Sequence, residues 1–342
     1  DSDALEGMPK ANLATGAVMT AVTGPLDFGF RTYTILPAAP LSPVGGQAVI
    51  AAPPAGANQY SIASFNMERF FDPINDPGGD VALTAAAYQN RLAKASLAIR
   101  TVLNAPDIVG LQEVEKLSVL NDLSLRIDAD AAAAGQPAPG YEPYLVEGLD
   151  QGGIDVAFLV KTAGGRVTDI TAEQVGADAT FVDPGDNSID VLNDRPPLVL
   201  RATIDGGPLS LPQPITVIVN HLRSLIDAEL DDNQGRRVRA KRQAQAEFLA
   251  GYIQGRQLND PAEAIVSLGD YNAFSFNDGY GDSMSVIRGV PVAGDQAATA
   301  SPDLVSPDLV DVADFIPASE RYSYVFGGNA QTLDHVIVTA NL

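Results

Sequence analysis

Residues that can bind a metal ion or transfer protons stand at the end of a strand-like run late in the sequence. In S-L-G-D-Y-N-A-F, Ser267 to Phe274, a short apolar stretch leads into Asp270 and Asn272. Turn chemistry alone could explain this pair, because Gly, Asp and Asn are the usual turn residues. The same pattern in other parts of the chain favours a chemical role.

Four more stretches place polar side chains within or after runs that read as strands. Residues two apart in a strand point the same way, so we expect Asn66 to project with Glu68, and Glu113 with Glu115. The remaining two candidates are His221, after I-T-V-I-V-N, and Asp334, before His-Val-Ile-Val. Functional residues gather on loops held by a rigid frame, so these stretches predict one shared site.

The residue types fit metal-assisted hydrolysis of a phosphodiester. Carboxylate and amide oxygens are hard ligands for Mg²⁺, Mn²⁺ or Ca²⁺. A histidine beside them can transfer protons or hydrogen-bond a phosphate. A metal ion with open positions can polarise a phosphoryl oxygen and stabilise the leaving oxygen.

The elements that would position these residues indicate an α/β or α+β fold with mixed sheets. Apolar periodicity predicts helices over 85–103, 117–134 and 232–254, among many strand-like runs whose order is not a strict β-α-β alternation. Residues 1–57 are rich in Ala, Pro and Gly and contain two strand-like runs, which predicts a β-rich segment and linker too short to be stable alone. Residues 58–342 form the predicted second domain.

The composition limits the classes of function. The 342 residues carry 21 basic and 43 acidic side chains, a net charge of −22, which argues against binding nucleic acid through bulk electrostatics. A phosphate-directed enzyme stays open, because a bound cation supplies the local positive charge. No apolar run approaches the roughly 20 residues of a membrane-spanning helix. The chain begins at Asp1 and has no cysteine, which suits a secreted bacterial protein whose leader has been removed, or a fragment.

Five motifs in order, S-F-N-M-E, L-Q-E-V-E, N-H-L-R-S, G-D-Y-N-A and L-D-H-V, resemble the endonuclease/exonuclease/phosphatase superfamily. The resemblance covers about Tyr60 to Leu342 and implies a four-layer sandwich, two packed mixed β-sheets flanked by helices. D-R-P-P-L, Asp194 to Leu198, and R-Q-A-Q-A-E-F-L are more similar to secreted bacterial extracellular nucleases. That likeness implies a secreted protein with a small β-rich region before the nuclease domain.

The resemblance also implies roles for the metal site. Glu113 would be the principal ligand of Mg²⁺ or Mn²⁺, with Ca²⁺ as an alternative. Asn66 and Glu68 would complete the metal and phosphate site. Arg223, in N-H-L-R-S, is a further candidate for phosphate contact.

The catalytic roles follow from the same motifs. Asp270 would activate or orient the attacking water, and Asn272 would hold a phosphate oxygen. His221 would contact the scissile phosphate and assist the leaving group. Asp334 matches an aspartate that orients a second histidine.

That second histidine marks a departure from the family pattern. The family places it in a Ser-Asp-His segment after the L-D-x-V strand, whereas this chain ends at Leu342. Its only other histidine, His335, occupies a variable position and is expected to be structural. We therefore expect a domain that lacks its last strand, filled by a continuation of the chain or by a strand from another chain, and weak hydrolysis by these 342 residues alone.

Three functions remain open from the sequence. The first is a metal-dependent nuclease that cuts DNA, or RNA, with little sequence preference. The second is a phosphatase or phospholipase of the same fold, and the third is a binding or structural protein that has lost catalysis. The basic run R-R-V-R-A-K-R, Arg236 to Arg242, is either a nucleic-acid patch or a solvated helix face.

Overall fold

The protein divides into two compact units. The computed structural model describes residues 16–29, 32–46, 49–56, 58–76, 81–205, 207, 211–326 and 329–342. The first unit comprises Asp1–Pro54 and Asp72–Asn104, and the second comprises Ala55–Phe71 and Ala105–Leu342. The sequence placed 72–104 in the domain of residues 58–342, whereas contacts group it with the first unit. The division at 57/58 therefore stays a prediction.

The first unit contains short strands and one helix. Its strands are β1 Val18–Met19, β2 Leu26–Gly29, β3 Thr32–Ile35 and β4 Pro43–Val44, and its helix is α1 Ala85–Leu97, which continues as a π-helical turn over Ala98–Val102. β1 pairs with β4 and β2 with β3, both antiparallel. The stretch G-P-L-D-F-G supplies β2, because its Leu-Asp-Phe-Gly pairs along β3. The described part of residues 1–57 thus contains four short strands, and the predicted N-terminal segment stays a prediction as a separate domain.

Among its described residues, the second unit carries a four-stranded and a six-stranded sheet, two two-stranded sheets and three helices. Its strands are β5 Ile62–Phe70, β6 Ile108–Val114, β7 Tyr141–Leu145, β8 Asp155–Lys161, β9 Val167–Gln174, β10 Thr180–Val182, β11 Ile189–Val191, β12 Leu198–Ile204, β13 Gln213–His221, β14 Ala264–Asp270, β15 Val310–Asp311, β16 Tyr324–Phe326, β17 Asn329–Gln331 and β18 Asp334–Val338. Its helices are α2 Leu117–Ala133, α3 Asn233–Asn259 and α4 Ser283–Arg288, with a 3₁₀ turn at Val312–Phe315.

Both sheets mix parallel and antiparallel pairs. The four-stranded sheet has the order β5-β6-β8-β7, with β5 and β6 parallel. The six-stranded sheet has the order β15-β18-β14-β13-β12-β9, with β13 and β14 parallel. Within the described part of the chain β5 is an edge strand, and the expected partner for that edge stays a prediction.

The two sheets pack face to face through an apolar core. Phe158 and Val160 of the four-stranded sheet share this core with Leu200, Val217 and Leu268 of the six-stranded sheet. A Cβ at position 110 would lie 2.2 Å from Leu268 Cδ1, so a larger residue there would displace the Leu268 side chain between the sheets. The core strands read as continuous apolar runs because both their faces are covered.

Helices cover the outer faces of both sheets. Ser124 of α2 donates a hydrogen bond to the carbonyl of Tyr141 in β7, and Leu249 and Ile253 of α3 pack with Ile218 of β13. The order of layers is thus helix, sheet, sheet, helix, and the expected four-layer sandwich is confirmed. None of the helices in the described ranges has the length and apolarity that crossing a bilayer requires.

Candidate active site

Neighbouring strand ends bring three of the predicted site residues together. In the six-stranded sheet His221 pairs with Asp270, and Asp270 pairs with Asp334, at the ends of β13, β14 and β18. The glycine of S-L-G-D permits this arrangement: Gly269 has φ 134°, and a Cβ there would lie 2.1 Å from the carbonyl oxygen of Asn220. The stretch S-L-G-D-Y-N-A-F is therefore the end of a strand that presents the carboxylate of Asp270.

A bulge brings Glu113 of the other sheet to the same place. The register of β6 shifts between Gln112 and Val114, and Glu113 has the left-handed φ of 62°. Bulges re-aim side chains beside active sites. Single ligand atoms of Glu113, His221 and Asp270 all lie within 4.8 Å of one another.

Asn66 connects the two carboxylates. Its Nδ2 donates to Glu113 Oε1 at 3.2 Å and to Asp270 Oδ2 at 3.1 Å, and its Oδ1 accepts from the backbone N–H of Glu68 at 2.8 Å. The backbone N–H of Arg69 donates to Glu113 Oε2 at 2.9 Å. The amide nitrogen of Asn66 thus faces the carboxylates, and its oxygen is engaged by the backbone. Asn66 orients the carboxylates in this arrangement, and its role as a metal ligand stays a prediction.

Glu68 and Glu115 do not join this group. Bulging shifts the β5 register between Asn66 and Phe70, and the side chain of Glu68 is exposed, with φ 51°. Its role as a metal ligand stays a prediction. Glu115 is buried and pairs with Lys116 at 2.9 Å. The expected alternation of side chains fails at both strand ends because each contains a bulge.

His221 faces the carboxylates as a neutral imidazole. Its Nε2 lies 3.8 Å from Asp270 Oδ2 and 4.0 Å from Glu113 Oε1. Burial, and then the charge of Arg195, hold the pKa of His221 well below its usual range. Within the described residues its buried Nδ1 has no hydrogen-bond partner. A neutral ring can hydrogen-bond a phosphate oxygen or accept a proton, and is poorly suited to delivering one.

Asp270 holds its proton unusually tightly. Burial, followed by the nearby charges of Asp334 and Glu113, raises its pKa to about 7. Burial also raises the pKa of Asp334. The carboxylates lie so close together that their mutual repulsion is relieved when one of them binds a proton or when a cation binds between them.

The donor set fits a hard divalent cation. Two carboxylates and one imidazole face one point, and the protonation preference of Asp270 reports negative charge that a cation would neutralise. Oxygen-rich sites of this kind suit Mg²⁺ or Mn²⁺. Glu113 and Asp270 are the residues that would hold the ion, with His221 beside them.

The pH dependence of stability should report this crowding. Because the folded-state pKa of Asp270 lies above its ordinary 3.8, its proton stabilises the fold fully below about pH 4, and this contribution is lost as pH rises through about 7. We expect metal-free protein to lose about 4 kcal/mol from this group over that range, since its pKa is raised from 3.8 to about 7. Asp270→Asn should remove this group's share of the pH dependence and leave the share of Asp155, whose pKa burial also raises to about 7. The exposed Asp231→Asn should leave the whole dependence in place, as thermal unfolding at several pH values would show. An unchanged pH dependence in Asp270→Asn would contradict the assignment.

Asn272 lies two residues after Asp270 and Arg223 two residues after His221. Asn272, with φ 48°, donates from its backbone N–H to Asp270 Oδ1 at 2.8 Å and from Nδ2 to the carbonyl of Leu222 at 3.0 Å. Arg223 forms no ion pair within the described ranges, and its buried Nε has no hydrogen-bond partner there. Both residues follow the strands β13 and β14 along the chain. Their predicted roles in binding phosphate stay predictions.

His335 lies inside the fold. It is 1% exposed, its Nδ1 lies 2.7 Å from Asp311 Oδ2, and its Nε2 lies 2.9 Å from the carbonyl oxygen of Ala273. All its polar atoms are engaged in the protein, in agreement with the structural role expected from the sequence.

Sequence reasoning missed contacts made by the backbone. The N–H of Arg69 and the carbonyl of Leu222 orient Glu113 and Asn272, respectively. Backbone groups have no residue-type signal, so the sequence could not show them. The position of Arg195 beside His221 appears only in the fold.

Comparison with known proteins identifies the class. The model of the endonuclease/exonuclease/phosphatase family matches residues 61–342. The chain belongs to the endonuclease/exonuclease/phosphatase family. No curated protein matches, and the finer likeness to secreted bacterial nucleases stays a prediction.

Solved structures of low similarity include three that span most of the chain. A humanised D. rerio TDP2 with 14 mutations is 15% identical, covering 82% of this chain and 83% of that one, with a TM-score of 0.44. A β-hairpin deletion mutant of beta toxin from Staphylococcus aureus is 14% identical, covering 83% and 88%, with a TM-score of 0.44. The human Nocturnin catalytic domain with bound sulfate is 13% identical, covering 77% and 78%, with a TM-score of 0.43.

Proposed function

We propose that this protein is a metal-dependent phosphodiesterase and that its substrate is nucleic acid, DNA or RNA, cut with little sequence preference. The carrying observation is the convergence of Glu113, His221 and Asp270, with Asn66 between the carboxylates. A Mg²⁺ or Mn²⁺ ion held by Glu113 and Asp270 would polarise the phosphoryl oxygen.

The protein's own groups supply the remaining tasks. His221, neutral and buried, hydrogen-bonds a phosphate oxygen through Nε2. Asp270 would orient the attacking water and accept its proton, as a carboxylate within hydrogen-bond reach of that water can. Arg223, two residues after His221, is the proposed phosphate contact, because guanidinium groups bind phosphate with several donors at once.

The basic run on α3 is mostly engaged within the protein. Arg237 pairs with Asp183 and Asp190, Lys241 with Asp194, and buried Arg242 donates to the carbonyl of Arg223. These contacts favour the structural interpretation of R-R-V-R-A-K-R. The proposed substrate contact therefore rests on the metal site and Arg223.

A substrate panel tests the proposal. Single-stranded DNA, duplex DNA, RNA, p-nitrophenyl phosphate and sphingomyelin vesicles would each be incubated with the protein and Mg²⁺ or Mn²⁺, with and without EDTA. We expect cleavage of nucleic acid that EDTA abolishes. Hydrolysis of the monoester or the lipid alone would favour the phosphatase or phospholipase, and metal binding without hydrolysis would favour a binding protein.

We also propose secretion from a bacterial cell, supported by the absence of cysteine and the acidic composition. Fractionation of a culture of the source organism would test it. The protein should be recovered from the medium, and recovery from the cell pellet alone would contradict the proposal.

A further inference from the structure

Arg195, the arginine of D-R-P-P-L, binds the backbone of His221 and of the residue after it. Arg195 Nε donates to the carbonyl of His221 at 3.2 Å, and Nη2 donates to the carbonyl of Leu222 at 3.2 Å. We propose that Arg195 is a positioning residue, which fixes the His221–Leu222 backbone so that the imidazole keeps its place between the carboxylates. This proposal rests on the proposed hydrolytic function of the site.

The clamped backbone is shared with the other site residues. Leu222 donates its N–H to the carbonyl of Asp270 at 3.0 Å, and its own carbonyl also accepts from Asn272 Nδ2 at 3.0 Å. A shift at residues 221–222 would therefore move His221, Asp270 and Asn272 together. Arg195 acts on three site residues through one peptide segment.

The guanidinium has no nitrogen left without an acceptor. Its Nη1 pairs with Asp150 Oδ1 at 3.2 Å, with the two side chains 11% and 16% exposed. The Asp150 loop is anchored to the same motif, because Leu149 donates to the carbonyl of Asp194 at 2.8 Å. Arg195 thus differs from Arg223, whose buried Nε has no partner among the described residues. Arg195 is thus held by the surrounding fold on all three of its nitrogens.

The planar fork explains why arginine is needed. Three acceptors lie in three directions around one delocalised cation, an arrangement that the single ammonium of lysine cannot match. Lysine at this position would keep the positive charge and lose the geometry. A comparison of Lys and Ala variants therefore separates the effect of the positive charge from the effect of the planar guanidinium geometry.

The test compares Arg195→Lys and Arg195→Ala with a control, Arg201→Ala, whose exposed ion pair with Glu173 lies outside the site. Hydrolysis of bis(p-nitrophenyl) phosphate with Mn²⁺ gives kcat and KM. We expect both Arg195 variants to lose about 10²-fold in kcat with KM changed less than about threefold, because small misplacements act on the reacting geometry. Free guanidinium at millimolar concentration, below denaturing levels, should restore part of kcat in Arg195→Ala and nothing in Arg195→Lys.

Two results would overturn the proposal. A rise in KM with unchanged kcat would make Arg195 a substrate contact, and loss of thermal stability with unchanged kcat in the folded protein would make it only structural. If the wild type hydrolyses nothing, the proposed function fails, and the imidazole NMR signals of the chain's two histidines decide. His221 signals that shift or broaden in Arg195→Ala, and not in Arg201→Ala, would uphold positioning, whereas unchanged signals would refute it.

Discussion

Glu113→Gln should lower phosphodiester hydrolysis by at least ~10³-fold, because a bound metal contributes several kcal/mol of transition-state stabilisation and each 1.4 kcal/mol is about tenfold in rate. The substitution removes the charge that would hold the ion and keeps the shape of the side chain. Glutamine retains one oxygen acceptor for the two donors that Glu113 binds, Asn66 Nδ2 and the N–H of Arg69. One hydrogen bond is lost, and the fold should persist.

The matched control is Glu115→Gln, the same change two residues further along. Glu115 is buried and pairs with Lys116 outside the three-residue group, so its hydrolysis should stay close to that of the wild type. Mn²⁺ titration by calorimetry would show whether Glu113→Gln weakens metal binding in parallel. Full activity of Glu113→Gln at saturating metal would show that Glu113 is not the ligand.

Much of the fold could be predicted because its elements carry strong local signals. The helix expected over 117–134 is observed as Leu117–Ala133, and Gly135 follows with φ 68°. The helix expected to end at 254 continues to Asn259, because its last turn still buries Gln257. The π-helical turn at Ala98–Val102 was read as plain helix, since both have nearly the same apolar pattern.

The sequence predicted which residues belong to the site better than it predicted how their side chains are arranged. Motif order identified Glu113, His221 and Asp270, and the structure brings them together. The alternation rule that paired Asn66 with Glu68 failed, because β5 bulges between Asn66 and Phe70. Positive φ at Glu68, Arg69, Glu113 and Asn272 concentrates strained backbone at the site, as functional sites often do. Such conformations depend on the surrounding fold, so residue type alone did not reveal them.

Long-range polar contacts were also beyond the sequence. Arg195 and His221 are 26 positions apart, and their hydrogen bond depends on how β12 and β13 pair. His335 and Asp311 are joined across β18 and β15 in the same way. In both cases the partner is determined by sheet topology, which local patterns do not encode.

His335→Phe should lower the free energy of unfolding by about 3–5 kcal/mol, because removing one partner leaves a buried charge unpaired. The side chains of His335 and Asp311 are both 0% exposed. Burial works to raise the pKa of Asp311, but the hydrogen bond and charge of His335 bring it below the ordinary value. Asp311 is therefore a carboxylate whose stabilising partner is the histidine.

The pH dependence separates this pairing from simple loss of packing. A depressed pKa contributes stability above the unfolded value of 3.8, and this is lost as pH falls through the folded-state pKa. In His335→Phe the unpaired Asp311 can take up a proton in mild acid, so the destabilisation should be largest near pH 7 and shrink toward pH 4. Urea denaturation across this range measures it, and Asp311→Asn combined with His335→Phe should recover part of the loss because no charge is left buried. A His335→Phe protein that is as stable as the wild type but does not hydrolyse substrate would assign His335 to catalysis instead. If the folded fraction of the variant keeps the activity of the wild type, Asp311 and His335 serve only to hold the Ala273 segment beside Asn272.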